Sequence, residues 1–291
     1  LAPDLRRSWL FGPGADPAAH AAMLASPADA LIVDLEDFTP PPRRAEARAL
    51  LPALLAAWRT AGRVAVVRIN PLDADGPLDL AVAMPAWPDV IAYPMAASAA
   101  QMQALDLALA HWERQLGIEA GRTEILPVCE TALGVADVRA IAAASARIRG
   151  ALLGAEDLAA DLAAERAPDG LELEHARRRF VLDCRAAGIE PVDAPYTFGD
   201  ADGAAREARH ARRLGYRSKA LVRPDHAATV NAALTPSADE LRRAQALVAA
   251  FEAARARGEE RALVDGHWVE VPTWRNALRL IERGRRLQRA D

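Results

Sequence analysis

Cysteine, aromatic residues and charge of one sign are all scarce in this chain, and each shortage excludes something. The only two cysteines, Cys129 and Cys184, stand far apart with no companion at metal-binding spacing, which leaves no disulfide framework and fits a reduced, cytosolic protein. Aromatics make up 5% of the residues, too few for an aromatic-rich binding surface. The formal charge is only −4, and Arg, which greatly outnumbers Lys, is interleaved with acids along helical stretches. Those basic residues read as solvated helix faces rather than a stripe for nucleic acid. Residues 1–7 lack the basic, apolar and cleavage regions of a signal peptide, and no apolar run is long enough to span a bilayer, so a soluble cytoplasmic protein is expected. The glycines of Phe11-Gly12-Pro13-Gly14 do not form a dinucleotide fingerprint.

What the chain does have is alternation. A hydrophobic fraction of 52%, mostly Ala and Leu, suits helices packed closely on a sheet. Short apolar runs recur at residues 9–11, 30–33, 64–69, 90–93, 124–128, 148–153, 188–192 and 218–222. Between them, apolar spacings of three and four predict helices near 17–24, 43–60, 99–116, 132–144, 172–187 and 202–214. An open doubly wound sheet would give the same alternation, but eight strands without a dinucleotide motif favour an α/β protein of the TIM (β/α)8 barrel type. A length of 291 residues leaves a remainder after the eighth unit. Residues 1–235 are expected to form the barrel, and 236–291 a C-terminal helical and hairpin lid. In that tail Ser237 caps a helix running to about residue 257, a hairpin turns at Asp265-Gly266, and an Arg-rich helix starts near Trp274.

A β/α barrel builds its site at the C-terminal ends of its strands, and charged residues cluster there. Strand two ends in Asp34-Leu35-Glu36-Asp37, strand three in Arg68-Ile69-Asn70, strand five in Cys129-Glu130-Thr131, and strand six in Gly154-Ala155-Glu156-Asp157. Converging carboxylates repel one another unless a cation neutralises them. With no His or Cys at ligand spacing, a hard cation is expected, and few protein ligands plus water and substrate is the habit of Mg2+. Glu130 and Asp157, on adjacent strands, are the expected metal ligands. Arg68 is the expected anion grip for a substrate carboxylate or a developing enolate oxygen. Taken alone, Arg68 is equally an ion-pair partner of Glu36 or Asp37. Cys129 reads as core, and His226 as either a base after strand eight or a helix-start residue.

These motifs resemble the citrate lyase β-subunit-like family, which includes malyl-CoA and citramalyl-CoA lyases. The resemblance runs through Arg7-Ser8-Trp9-Leu10-Phe11-Gly12-Pro13-Gly14, Asp34-Leu35-Glu36-Asp37, Val67-Arg68-Ile69-Asn70, Glu130-Thr131-Ala132, Gly154-Ala155-Glu156-Asp157-Leu158 and the stretch from Asp265-Gly266 to Pro272. It implies a barrel, Mg2+ on Glu130 and Asp157, and a substrate anion at Arg68. By the same analogy the substrate lies against Phe11, Pro13, Gly14, Gly154 and Ala155. Glu36 and Asp37 hold water on the metal or orient Arg68, and Glu270 from the lid serves as acid/base. The assembly it implies is a homotrimer or homohexamer.

Four positions depart from the family pattern. Met95 follows Tyr93-Pro94 where a Lys is usual, and Ala15-Asp16 replaces a polar and then a basic residue that help hold CoA phosphates. Strand eight reads Lys219-Ala220-Leu221-Val222-Arg223-Pro224-Asp225-His226 in place of Lys-x-x-Ile-His-Pro-x-Gln, and the lid acid is Glu270 rather than Asp. The expected activity is magnesium-dependent carbon–carbon cleavage or formation of a β-hydroxy acyl-CoA or related hydroxy acid through an enolate. The partner is a small carboxylate or its CoA thioester, with no nucleic acid and no membrane. A CoA-independent 2-oxo acid aldolase and a noncatalytic metabolite-binding subunit are the rival readings.

Overall fold

A computed structural model describes residues 1–289. Eight parallel strands close into one barrel, each paired with its sequence neighbours and the first with the last. They are β1 Ser8–Pro13, β2 Ala30–Asp34, β3 Val64–Arg68, β4 Val90–Tyr93, β5 Glu124–Cys129, β6 Gly150–Leu153, β7 Glu190–Asp193 and β8 Ser218–Leu221. The helices between them are α1 Pro17–Ala25, α2 Arg44–Thr60, α3 Gly76–Ala83, α4 Ala99–Leu116, α5 Ala132–Ala136, α6 Val138–Ala143, α7 Glu156–Asp161, α8 Glu174–Ala187, α9 Ala201–Leu214 and α10 Ala227–Leu234. The fold is a TIM barrel.

Alternation along the strands sorts the side chains into two layers. Trp9, Phe11, Ala30, Ile32, Val64, Val66, Leu126, Val128, Val192 and Ala220 fill the interior. Leu10, Leu31, Val33, Ala65 and Val67, one residue out of step, pack beneath the helices with Leu51, Leu55 and Trp58 of α2. Because both faces are covered, every residue of β2 and β3 is buried, as parallel strands require. Among the buried charge networks of the outer layer is one centred on Asp193. Lys219 Nζ reaches Asp193 Oδ2 (2.7 Å) and Glu207 Oε2 (3.0 Å), and Arg177 clamps Asp193 with two hydrogen bonds. Lys219 lies between sheet and helices, on the opposite side of β8 from interior-facing Ala220.

Three expectations for the barrel need correction. The segment 132–144 is two short helices, because the backbone opens at Asp137 (φ −100°, ψ 10°) before α6 begins. The sixth strand starts at Gly150 rather than residue 148, Ile148 forming only an isolated bridge to Ile125. The seventh starts at Glu190, because Gly188, at φ +75°, closes α8 in the left-handed conformation that glycine takes at low cost.

The described residues divide into two compact units, residues 1–234 and the segment from residue 235 onward. In the second, Ser237 and Glu240 form a reciprocal capping box opening α11 Ala238–Ala256, worth about 1 kcal/mol by the usual cost of losing such a cap. β9 Ala262–Val264 and β10 His267–Val269 then pair antiparallel. Asp265 (φ +49°) and Gly266 (φ +77°) supply the two left-handed residues of their turn. α12 Val271–Gln288 begins three residues earlier than Trp274. Phe251, Ala254, Ala262 and Val269 form the core of this unit. No helix among the described residues is long and apolar enough to cross a membrane.

Candidate active site

The strand alternation that fills the barrel also aims its site. Asp34 continues the inward set Ala30, Ile32; Arg68 continues Val64, Val66; and Glu130 continues Leu126, Val128. Register does the rest, since Asp34 pairs directly with Arg68 across β2 and β3. Arg68 is 5% exposed, and its guanidinium is hydrogen-bonded along one edge and in ion-pair contact at the other corner. Nε donates to Asp34 Oδ1 (2.9 Å) and Nη2 to Asp34 Oδ2, Nη1 lies 3.0 Å from Glu36 Oε2, and Asp37 stands 3.8 Å from Nη2. Phe11 and Phe38 cover it with ring centroids 5.2 and 5.8 Å from Cζ. Burial works against the cation, but Asp34 and then Glu36 and Glu130 hold it protonated above its ordinary range.

The carboxylates around it behave differently. Burial pushes Glu36 up to about 7 against the pull of Arg68. Burial likewise raises Glu130 to about 7, opposed by the Met95 N–H and Arg68 and reinforced by Asp157 and Glu36. Asp157 is raised by desolvation, then by Asp37. Glu130, Asp157, Glu36, Asp37 and Arg68 therefore share one electrostatic neighbourhood at the barrel mouth. Glu130 Oε1 accepts the Met95 N–H at 2.8 Å. No other protein hydrogen bond reaches this carboxylate among the described residues. Asp157 sits exposed in the first turn of α7. Two under-compensated oxygen-donor side chains on adjacent strand ends fit a hard divalent cation, with substrate and water completing its shell. Among the described residues no three His, Cys, Asp or Glu side chains gather as a metal site by themselves.

Small residues create the space. A Cβ on Gly154 would overlap the Glu130 side chain and stand 3.0 Å from Oε2, so only glycine lets β6 run beside that carboxylate. A Cβ on Gly14 would lie 2.9 Å from Asp34 O and 2.9 Å from Thr39 Oγ1, and the Gly14 N–H donates to that hydroxyl at 2.8 Å. Ala155, buried, precedes α7, and Pro13 ends β1 beside Asp34. Met95 adopts φ +48°, and it is its backbone that serves the site. Asp16, at the place of the usual basic residue, caps α1 through Ala18 N (3.0 Å) and Ala19 N (3.1 Å). Glu270 belongs to the second unit, where it is exposed at the start of α12 with Arg261 3.9 Å away.

Sequence reasoning missed Asp34 as the principal partner of Arg68, naming only Glu36 and Asp37, and it missed Phe38 as a wall. That Asp34 faces inward was detectable, since it lies two residues beyond Ile32; its pairing with Arg68 was not. It also missed the Asn70 clamp, whose Nδ2 donates to Leu35 O (2.9 Å) and Asp79 Oδ2 (2.8 Å), fixing the β2 and β3 loops together. His226 is fully buried in the turn before α10, its ring 6.1 Å from that of Tyr196, so it is the helix-start residue rather than an exposed base. Cys129 is core.

A parallel β/α barrel whose mouth gathers acidic side chains around a caged arginine has the make-up of a carbon–carbon lyase. Comparison with known proteins agrees: residues 7–224 match the model of the HpcH/HpaI aldolase/citrate lyase family, and the chain belongs to that family. It is 32% identical over 283 residues to citrate lyase subunit beta of Haemophilus influenzae, covering 97% of each chain. It is 33% identical to the L-malyl-CoA/beta-methylmalyl-CoA lyase of Cereibacter sphaeroides, covering 93% of this chain and 92% of the relative. Among solved structures, CitE of Mycobacterium tuberculosis in complex with magnesium, acetoacetate and coenzyme A superposes with a TM-score of 0.77 at 28% identity, over 97% of this chain and 99% of that one.

Proposed function

We propose that this chain cleaves or forms the carbon–carbon bond of a β-hydroxy acid or its CoA thioester, with Mg2+ held by Glu130 and Asp157. The observation that carries the reading is the adjacency of two under-compensated carboxylates to a buried arginine at the barrel mouth. Bound there, the ion would act as a Lewis acid toward a substrate carbonyl and its neighbouring carboxylate. Arg68 holds negative oxygen, and the Asp34 clamp keeps its fork fixed in orientation, so little reorganisation is needed as charge develops. In cleavage the hydroxyl proton leaves to a base, the carbon–carbon electron pair passes to the thioester or acid fragment as an enolate, and the hydroxyl carbon becomes a carbonyl. Protonation at carbon completes the turnover. Glu36, whose carboxyl burial pushes up to about 7, suits proton movement near neutrality. Glu270 is proposed as a further acid/base on the strength of the family resemblance.

Replacing Glu130→Gln or Asp157→Asn is expected to abolish magnesium-dependent turnover of hydroxyacyl-CoA substrates while leaving the circular dichroism spectrum unchanged. Full activity in either variant removes the assignment. A second reading, a CoA-independent 2-oxo acid aldolase, is favoured by Asp16, whose carboxylate occupies the amides opening α1 where an anion would otherwise bind. Thermal stabilisation by acetyl-CoA in the presence of Mg2+ and glyoxylate decides for the thioester, and its absence decides for the free acid. A homotrimer or homohexamer and a cytoplasmic location are proposed on the resemblance.

A further inference from the structure

At the opposite end of the barrel, the turns preceding β3, β4 and β5 and the segment before β1 enclose a cleft of about 200 Å³ lined by Arg6, Arg63, Arg122, Asp89 and Glu124. Its three guanidinium groups are unequally committed. Arg6 is spent, forming two hydrogen bonds to Glu124 (2.6 and 3.0 Å) and one to Leu1 O (3.0 Å). Arg122 donates to Pro88 O at 3.2 Å, reaches Asp89 only at 3.5 Å, and lies over the Trp87 ring at 5.3 Å. Arg63 has one hydrogen bond, to Ser26 O at 3.0 Å; its Nε is buried without a partner, and no carboxylate pairs with it among the described residues.

The two acids bordering the cleft are already engaged. Glu124 is taken by Arg6, and Asp89 Oδ2 accepts the Ala65 N–H at 2.9 Å. Three cations against two committed anions leave a positive excess, concentrated on a guanidinium that uses one of its five donors. A half-buried arginine without a counter-charge, facing a polar cleft, is matched by a compact dianion able to take several N–H groups at once.

We propose that the cleft at the N-terminal end of the barrel binds a phosphate-class dianion, free or as the phosphoryl group of a small metabolite, on Arg63 and Arg122. The site stands at the end of the strands away from the lyase chemistry, and its occupancy ties together the turns before β3, β4 and β5.

The test is a thermal-shift titration of the metal-free chain with inorganic phosphate and, separately, glycerol phosphate, each against chloride at matched ionic strength. The expected result is a saturable rise in Tm with phosphate, weakened at least tenfold in apparent affinity by Arg63→Gln and unchanged by Asp157→Asn at the other end. Arg63→Gln removes only a contact to a carbonyl, so it is expected to fold, and undiminished magnesium-dependent turnover checks that. A response to glycerol phosphate alone assigns the site to an esterified phosphoryl group, and to both assigns it to phosphate generally. No rise above chloride with either anion in the parent chain, or the same rise in Arg63→Gln, overturns the proposal.

Discussion

Replacing Asp34 by Asn is the most direct test of how the site is built. The carboxylate is fully buried and accepts four hydrogen bonds: Oδ1 from Arg68 Nε (2.9 Å) and Glu36 N (2.9 Å), Oδ2 from Arg68 Nη2 and Phe38 N (3.2 Å). An asparagine of the same shape keeps one acceptor and turns an NH2 toward two other donors. The charge that balances a buried guanidinium is lost as well. Breaking a buried ion pair from one side costs roughly 3–5 kcal/mol. At roughly 2–4 °C per kcal/mol for a domain of this size, the melting temperature falls by about 6–20 °C. Calorimetry or urea denaturation measures it, the urea midpoint moving while the slope stays constant. Because Arg68 is also freed to turn, kcat should fall more than KM rises. A loss under about 1 kcal/mol, on that same scale for a one-sided break, would mean that Glu36 and Glu130 neutralise Arg68 by themselves, and the anchoring role of Asp34 would be refuted.

Other expectations follow from the same geometry. Gly154→Ala, which forces a methyl into the Glu130 side chain, should weaken Mg2+ binding by at least tenfold in calorimetric titration, while the far-ultraviolet spectrum stays that of the parent. Glu36 and Glu130, both raised to about 7 from an ordinary 4.5, bind more protons folded than unfolded between those values. Their contribution to metal-free stability is complete below about pH 4.5 and is lost as the pH rises through 7. Melting scans should show that loss, with Mg2+ restoring stability at pH 7.5 and giving little at pH 5; a flat metal-free profile would contradict the burial argument. Asp16→Asn preserves the α1 cap but deletes its charge, so KM for a CoA thioester should fall with kcat unchanged, and an unchanged KM would place the CoA phosphates elsewhere.

Much of the barrel was legible because each signal was local. Strand alternation, the Ser237 cap and the Asp265-Gly266 turn all act within a few residues, and the chain folds at each as the sequence reads. α3 and α7, of eight and six residues, are too short to show a helical period and were not anticipated. The convergence of charged residues on the mouth was readable from their place after strands. The Asp34 to Arg68 pairing was not, because which residues face each other across β2 and β3 is set by the stagger of the closed sheet, not by either segment. Nor could composition show that Met95 acts through its N–H, which depends on a left-handed backbone angle.

The enclosure of Arg68 has a consequence for what the pocket can recognise. With the Nε–Nη2 edge of the fork fastened to Asp34 and the Phe11 and Phe38 rings packed to one side of it, the Nη1 corner, in ion-pair contact with Glu36, is the part free to change hands. A ligand enters by exchange, one carboxylate stepping in as another steps out. An uncharged mimic has nothing to trade for that position, and inhibitors of this enzyme should therefore carry an anion of carboxylate size at that corner.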